Sequence, residues 1–224
     1  MSVVQENQVF TIKCVVVGDE RVGKSCLIAR LSGKPVDNEY RQTMVDMSTV
    51  RTFLGKTLTL VDFWDTPGAH NFQSIRLLAY QDTHIFAICF SVVVPESFSN
   101  VRKKWIPELK MYGPPNARFV LIGLQSDLRG DEAVNQSLHQ MGLESPTIDQ
   151  GAELAQTIGA IGYFECSSVT QTGVEAVLQG IKTSIANPLR IARHASVSFS
   201  SHADVEGVEE LRKSLKALQR SSGP

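Results

Sequence analysis

The stretch "VVVGDERVGKS", Val15 to Ser25, restricts the fold more than any other part of the chain. A β-branched run, Val15 to Val17, ends at Gly18, and Gly23-Lys24-Ser25 opens an apolar-periodic segment, "CLIARL". That order is strand, loop, helix. The spacing G-x-x-x-x-G-K-[ST] is what a phosphate cradle requires: glycines where a Cβ would block the turn, amide N–H groups turned inward, and a helix N-terminus that favours negative charge. The candidate phosphate-binding residues are therefore Gly18, Asp19, Glu20, Arg21, Val22, Gly23, Lys24 and Ser25. Lys24 would reach the outer phosphates, and Ser25 would hold a magnesium ion. Glu20 is the anomaly, a carboxylate inside a loop built to hold anions.

Beyond this loop, short β-rich runs alternate with longer segments of helical period, the pattern of βαβ units around a mostly parallel sheet. Six strands are expected, in "FTIKCVVV", "STVRTFL", "TLTLVDFW", "HIFAICFSV", "RFVLIGL" and "GYFEC". The Gly55-Lys56 turn joins the second and third as a hairpin, so one strand should run antiparallel. Helices are expected over 24–31, 72–80, 95–111, 149–158 and 173–186, with Pro107 bending or splitting the third.

With 224 residues and 42% hydrophobic composition, the chain can bury one good core and carry an appendage. A net charge of −1 offers no broad surface for nucleic acid. There is no run of 18 apolar residues and no signal-like start, which points to the cytoplasm. Cys14, Cys26, Cys89 and Cys166 fall in or beside apolar runs without metal-ligand spacing, so they read as reduced core residues. Residues 1–10 form an N-terminal extension and 11–186 the folded domain. Residues 187–204 are a Ser/His-rich linker. In 205–224, Val208, Leu211, Leu215 and Leu218 recur at helical spacing, with acids early and bases late, as in a short amphipathic helix. Such a helix packs on its own domain, binds a partner, or touches a membrane weakly.

The remaining parts of a nucleotide site occur in order. At the end of the third strand, "WDTPG" places Asp65 to support magnesium through water and Gly68 to offer an N–H to a terminal phosphate. Thr43, in "EYRQTMVD", could close over the same ion. After the fifth strand, "LQSDL" supplies Asp127, an acceptor for two N–H donors on a guanine edge, and after the sixth, "ECSSV" supplies backbone N–H groups near Ser167 and Ser168. All lie at the carboxyl ends of strands, where α/β sheets bind ligands.

From about residue 10 to 186 the chain resembles a small GTPase of the Ras superfamily, and more narrowly the Rho family, through "KCVVVGD", "CFSVVVPESFSNVRKKWIPEL", "DLRGDE" and "IGAIGYFECSS". The resemblance implies the P-loop small-GTPase fold, a six-stranded mostly parallel sheet flanked by helices, with the Rho-type helical insert at about 131–146. It also implies a monomeric GTP/GDP switch with magnesium, whose moving segments are 40–45 and 65–80 and whose partners are protein effectors and exchange factors. The effector-facing residues would be Tyr40, Gln42, Thr43, Val45 and Asp46, and Gln125 would join Asp127, Ser167 and Ser168 at the guanine.

Several positions depart from the family. Glu20 stands where glycine is usual and would crowd the attacking water. Ala69 stands at the position of the glutamine that orients that water. His70, a weak substitute, lies one residue too far along, and Pro67 replaces an alanine and stiffens the turn. Leu124 loses a polar tether, Gln125 stands where many relatives have lysine, and Val36 replaces a ring over the guanosine edge. Gln42, Val45 and Ser48 alter the effector segment. Rho proteins generally end in a prenylated cysteine, but none follows Cys166 here, so no lipid anchor is expected. Three readings stay open: a GTP-held module with slow hydrolysis, a normally cycling GTPase, and a pseudo-GTPase scaffold. Glu20 and Ala69 separate the first two, while Lys24, Ser25, Thr43, Asp65 and Asp127 argue against the third.

Overall fold

A computed structural model describes residues 9–36 and 42–185. The N-terminal extension up to residue 8, Tyr40, Ala186, the linker and the amphipathic segment lie outside the described residues. The strands are β1 (Phe10–Gly18), β2 (Asp46–Leu54), β3 (Thr57–Asp65), β4 (Ile85–Ser91), β5 (Arg118–Leu124) and β6 (Tyr163–Cys166). They form one sheet in the order β2-β3-β1-β4-β5-β6, with β2 antiparallel to β3 and every other pair parallel. This is a mixed, mostly parallel six-stranded sheet, the form that the resemblance implies.

The helices are α1 (Lys24–Leu31), α2 (Gln73–Leu78), α3 (Pro95–Asn100), α4 (Ile106–Tyr112), α5 (Glu132–Gln140), α6 (Ile148–Ile158) and α7 (Val174–Ile185). They cover both faces, which is why all seven residues of β4 are buried and apolar residues run on without alternation. One core packs Ile12, Cys14, Val16, Phe63 and Ile122 against Leu27 of α1 and Val177 of α7. The other packs Val15, Phe86, Ile88 and Phe90 against Trp105, Leu109 of α4 and Leu154 of α6.

The helix expected over 95–111 is three pieces. Between α3 and α4 a widened turn spans Val101–Trp105, where the Ile106 N–H reaches back five residues to the Val101 carbonyl. Pro107 explains the break: it brings no N–H to the ladder, and it sits where a helix start tolerates it. The helix expected over 72–80 is α2, which ends at Leu78 and is preceded by a 3₁₀ turn at His70–Phe72. The strand expected from His84 to Val92 is shorter at both ends, and β1 takes in Phe10, one residue before the expected domain start. Of the cysteines, Cys14, Cys89 and Cys166 are buried, whereas Cys26 on α1 is only half-buried. The insert is helical as α5, capped by Asp131, whose side chain accepts from the Val134 N–H at 2.9 Å.

Register fixes what shares an edge. Val16 pairs with Asp65, Asp65 with Asp46, Gly18 with Cys89, Ser91 with Leu124, and Leu124 with Cys166. The loops after β1, β3, β5 and β6 therefore open on one side of the sheet, around the point where the connections change direction.

Candidate functional site

The loop after β1 turns on two glycines. Gly18 has φ +146° and passes so close to β4 that a Cβ there would lie 2.1 Å from the Cys89 carbonyl oxygen, while Gly23, at φ +104°, opens α1. Arg21, at φ +63°, holds a left-handed turn without being glycine. Within the loop the Lys24 ammonium donates to the carbonyls of Gly18 at 2.9 Å and Asp19 at 2.7 Å. Burial pushes the Lys24 pKa down, with the charges of Asp65 and Asp19 among the groups that oppose the shift.

Three oxygen-bearing side chains meet beside it. Ser25 Oγ lies 3.0 Å from Thr43 Oγ1, which joins the start of α1 to the segment before β2. Asp65 is buried at the end of β3, and its Oδ1 has no hydrogen-bond partner among the described residues. Burial pushes its carboxyl up, and the Ser25 hydroxyl and Lys24 charge oppose that. A desolvated carboxylate with an orphaned oxygen beside two hydroxyls is a donor set that suits a hard, oxygen-seeking cation, so these residues fit magnesium.

The turn after β3 is tied down from below. A Cβ on Gly68 would fall 2.3 Å from the Glu20 nitrogen and 2.6 Å from the Gly18 oxygen, so only glycine lets this turn lie against the phosphate loop. Arg76 of α2 donates through Nη1 to the carbonyls of Pro67 at 2.9 Å and Ala69 at 3.2 Å, and the Lys104 ammonium donates to the Gly68 carbonyl at 2.9 Å. Arg76 is fully buried and forms a two-point pair with Glu108 of α4 at 2.8 and 2.7 Å. Tyr80 and Gln73 donate to the same carboxylate. Burial raises the Glu108 pKa, but hydrogen bonds from Arg76 and Tyr80 outweigh it and hold the carboxyl below its ordinary value. The loop is also braced from the side, as Asp19 accepts from Trp105 Nε1 at 2.9 Å and from Asn100 Nδ2 at 2.7 Å.

The expected site residues fall as follows. Glu20 and His70 are exposed, and Ala69 is half-buried and presents only a methyl group. Val22 is buried under the loop. Gln42 and Asp46 are exposed, but Val45 is buried in the core with Trp64, so its side chain faces the domain interior rather than a partner. Asp127 is exposed in the 3₁₀ turn Ser126–Gly130. Gln125 adopts φ +61° and accepts from Ser91 Oγ. Leu124 is buried, 3.8 Å from where a Gly23 Cβ would lie, so apolar packing occupies the place of a polar tether. Ser167 closes its own loop: its N–H donates to the Thr172 carbonyl and its Oγ accepts from the Val169 and Thr170 N–H groups.

Sequence reasoning did not name Arg76, Lys104, Asn100, Trp105, Glu108 or Arg30 as site supports. "KKWIPEL" was the only signal for any of them, and a buried arginine in the run "SIRLL" has no local mark.

The model of the Ras family matches residues 13–187. Over 167 residues the chain is 41% identical to proteins named Rho-related GTP-binding protein RhoV from Rattus norvegicus, Mus musculus and Homo sapiens, an overlap covering 74% of this chain and 70% of each of theirs.

Proposed function

Because the chain belongs to the Ras superfamily of small GTPases, and within it to the Rho family of signalling switches, we propose that it is a guanine-nucleotide switch held mainly in its triphosphate form. Membership of the family implies effector and regulator proteins as its partners. The observation that carries the reading is what stands at two neighbouring turns: Ala69 is half-buried and ends in a methyl group, and Glu20 carries an exposed carboxylate on the loop that the Gly68 turn lies against.

In this reading Gly18 to Ser25 hold the phosphates through backbone N–H groups, and the Lys24 ammonium, bonded to two carbonyls, has one N–H left for a phosphate. Ser25, Thr43 and Asp65 would hold magnesium, which when bound supplies positive charge beside the terminal phosphates. The Gly68 N–H meets the outermost phosphate. Asp127 would accept from the guanine edge, Gln125 would pack beside the base, and the Ser168 N–H would face its oxygen, since the Ser167 N–H is already given to the Thr172 carbonyl. The folded unit begins with β1 at Phe10 and carries its insert at about 131–146, and the sequence pattern of 205–224 would allow reversible membrane contact.

Hydrolysis needs a water held in line with the terminal phosphorus. The Ala69 side chain has no polar atom to hold it, and the Ala69 carbonyl accepts from Arg76. Glu20 places negative charge near a developing negative charge, a repulsion of about 1 kcal/mol in a partly screened site. The switch would then be set by exchange, abundance or partner binding more than by turnover. The nucleotide carried by the full chain after purification in magnesium tests this: GTP is expected to predominate over GDP, and GDP alone would count against it.

A further inference from the structure

Arg30 lies in the last turn of α1, and its Nε donates to the Ser168 carbonyl at 2.7 Å, across 138 residues of sequence. The contact is partly buried, so water competes with it weakly. It joins the helix that begins at Lys24 to the loop after β6. That loop has little else to fix its second residue. Ser167 spends its N–H on the Thr172 carbonyl and its Oγ on Val169 and Thr170, whereas the Ser168 N–H has no acceptor among the described residues.

We infer that Arg30 is a positioning residue for base recognition: by holding the Ser168 carbonyl it sets the orientation of the adjoining peptide units and so aims the Ser168 N–H at the oxygen of a bound purine. This deepens the guanine reading and rests on it. The donor is a charged group on a helix, and the acceptor is a carbonyl in the recognition loop, so one hydrogen bond ties the phosphate-binding and base-binding halves together. Losing it frees the loop to turn without touching the phosphate loop. The consequence is faster release of nucleotides that carry an oxygen at the purine 6-position, and no change for those that lack it.

The test uses the full chain and two substitutions chosen by bond count. Glutamine carries an N–H₂ as many bonds from Cα as the arginine Nε, so Arg30→Gln keeps the donor and removes the charge. Arg30→Met keeps the shape and removes the donor. Release of N-methylanthraniloyl-labelled GDP and of the equally labelled 2-aminopurine riboside diphosphate is followed by stopped flow. Arg30→Met is expected to speed GDP release about fivefold or more and to leave 2-aminopurine diphosphate release unchanged, while Arg30→Gln stays within about twofold of the unmodified chain for both. Equal acceleration of both nucleotides by Arg30→Met would mean general loosening and overturn the positioning role. No acceleration of GDP release would overturn it too. If the unmodified chain already releases both diphosphates at the same rate, the guanine reading fails first, and the role of Arg30 falls with it.

Discussion

Arg76 and Glu108 meet at 2.7 Å with both side chains almost completely shielded from water, and the same guanidinium holds the carbonyls of Pro67 and Ala69. The turn that should move when nucleotide changes is thus anchored to α4 by one charge pair. Removing one partner leaves the other charged and desolvated. Glu108→Ala is expected to lower stability by about 3–5 kcal/mol in urea titrations, and Arg76→Met with Glu108→Leu together to recover much of that loss. A loss under about 1 kcal/mol for Glu108→Ala would show that the pair is not what anchors the turn.

The same pair sets an acid limb. Glu108 has its folded-state pKa held below the unfolded value by Arg76 and Tyr80. Its contribution is therefore complete above the ordinary glutamate value of about 4.3 and is lost as pH falls through the depressed folded value. Melting temperatures measured from pH 7 downward should drop more steeply below about pH 4 for the unmodified chain than for the Arg76→Met, Glu108→Leu variant. Identical acid limbs would contradict this.

Asp65 shifts the other way. Burial raises its folded pKa, so without a cation the proton is retained to higher pH than usual, and the charged form destabilises the fold as pH rises through that value. A bound cation favours the charged form. Magnesium affinity of the GDP complex, measured by calorimetry, should increase as pH rises above the ordinary aspartate range, and Asp65→Asn should reduce it about tenfold or more and flatten that pH dependence. Unchanged affinity in Asp65→Asn would remove Asp65 from the ion's surroundings.

Base choice depends on Asp127. Replacing its carboxylate by an amide exchanges one of two acceptors for a donor, so Asp127→Asn should weaken GTP by about 1.5–3 kcal/mol and improve xanthosine triphosphate. Competition titrations against a labelled nucleotide measure both. Equal binding of ATP and GTP by the unmodified chain would refute the guanine assignment.

The fold was largely legible because its signals are local. Gly18 and Gly23 punctuate β1 and α1, and β5 and α1 have the bounds read from the chain itself. Pro107 announced a break in its helix but not the form of it, since a five-residue turn depends on what Trp105 packs against as well as on the missing N–H. The loops that could hold nucleotide were legible for the same reason, being short motifs at strand ends. Their supports were not. Asp19 and Trp105 are 86 residues apart and Arg30 and Ser168 are 138 apart, and neither pair leaves a periodic trace. Val45 read as an effector residue from its place in the chain, yet it is buried in the same apolar cluster as Trp64, a contact that its neighbours in sequence do not announce.

Hydrolysis of preloaded GTP under single-turnover conditions tests the central reading most directly. Glu20 and Ala69 act on one transition state, so their effects should not add. Ala69→Gln alone leaves the facing carboxylate, and Glu20→Gly alone leaves nothing to hold the water, so each should help little. Together they should raise the rate by more than the product of the single effects, by about tenfold or more. If the unmodified chain already hydrolyses GTP as fast as the double variant, it is not a GTP-held switch, and another group, with the exposed His70 first to be tested, positions the water.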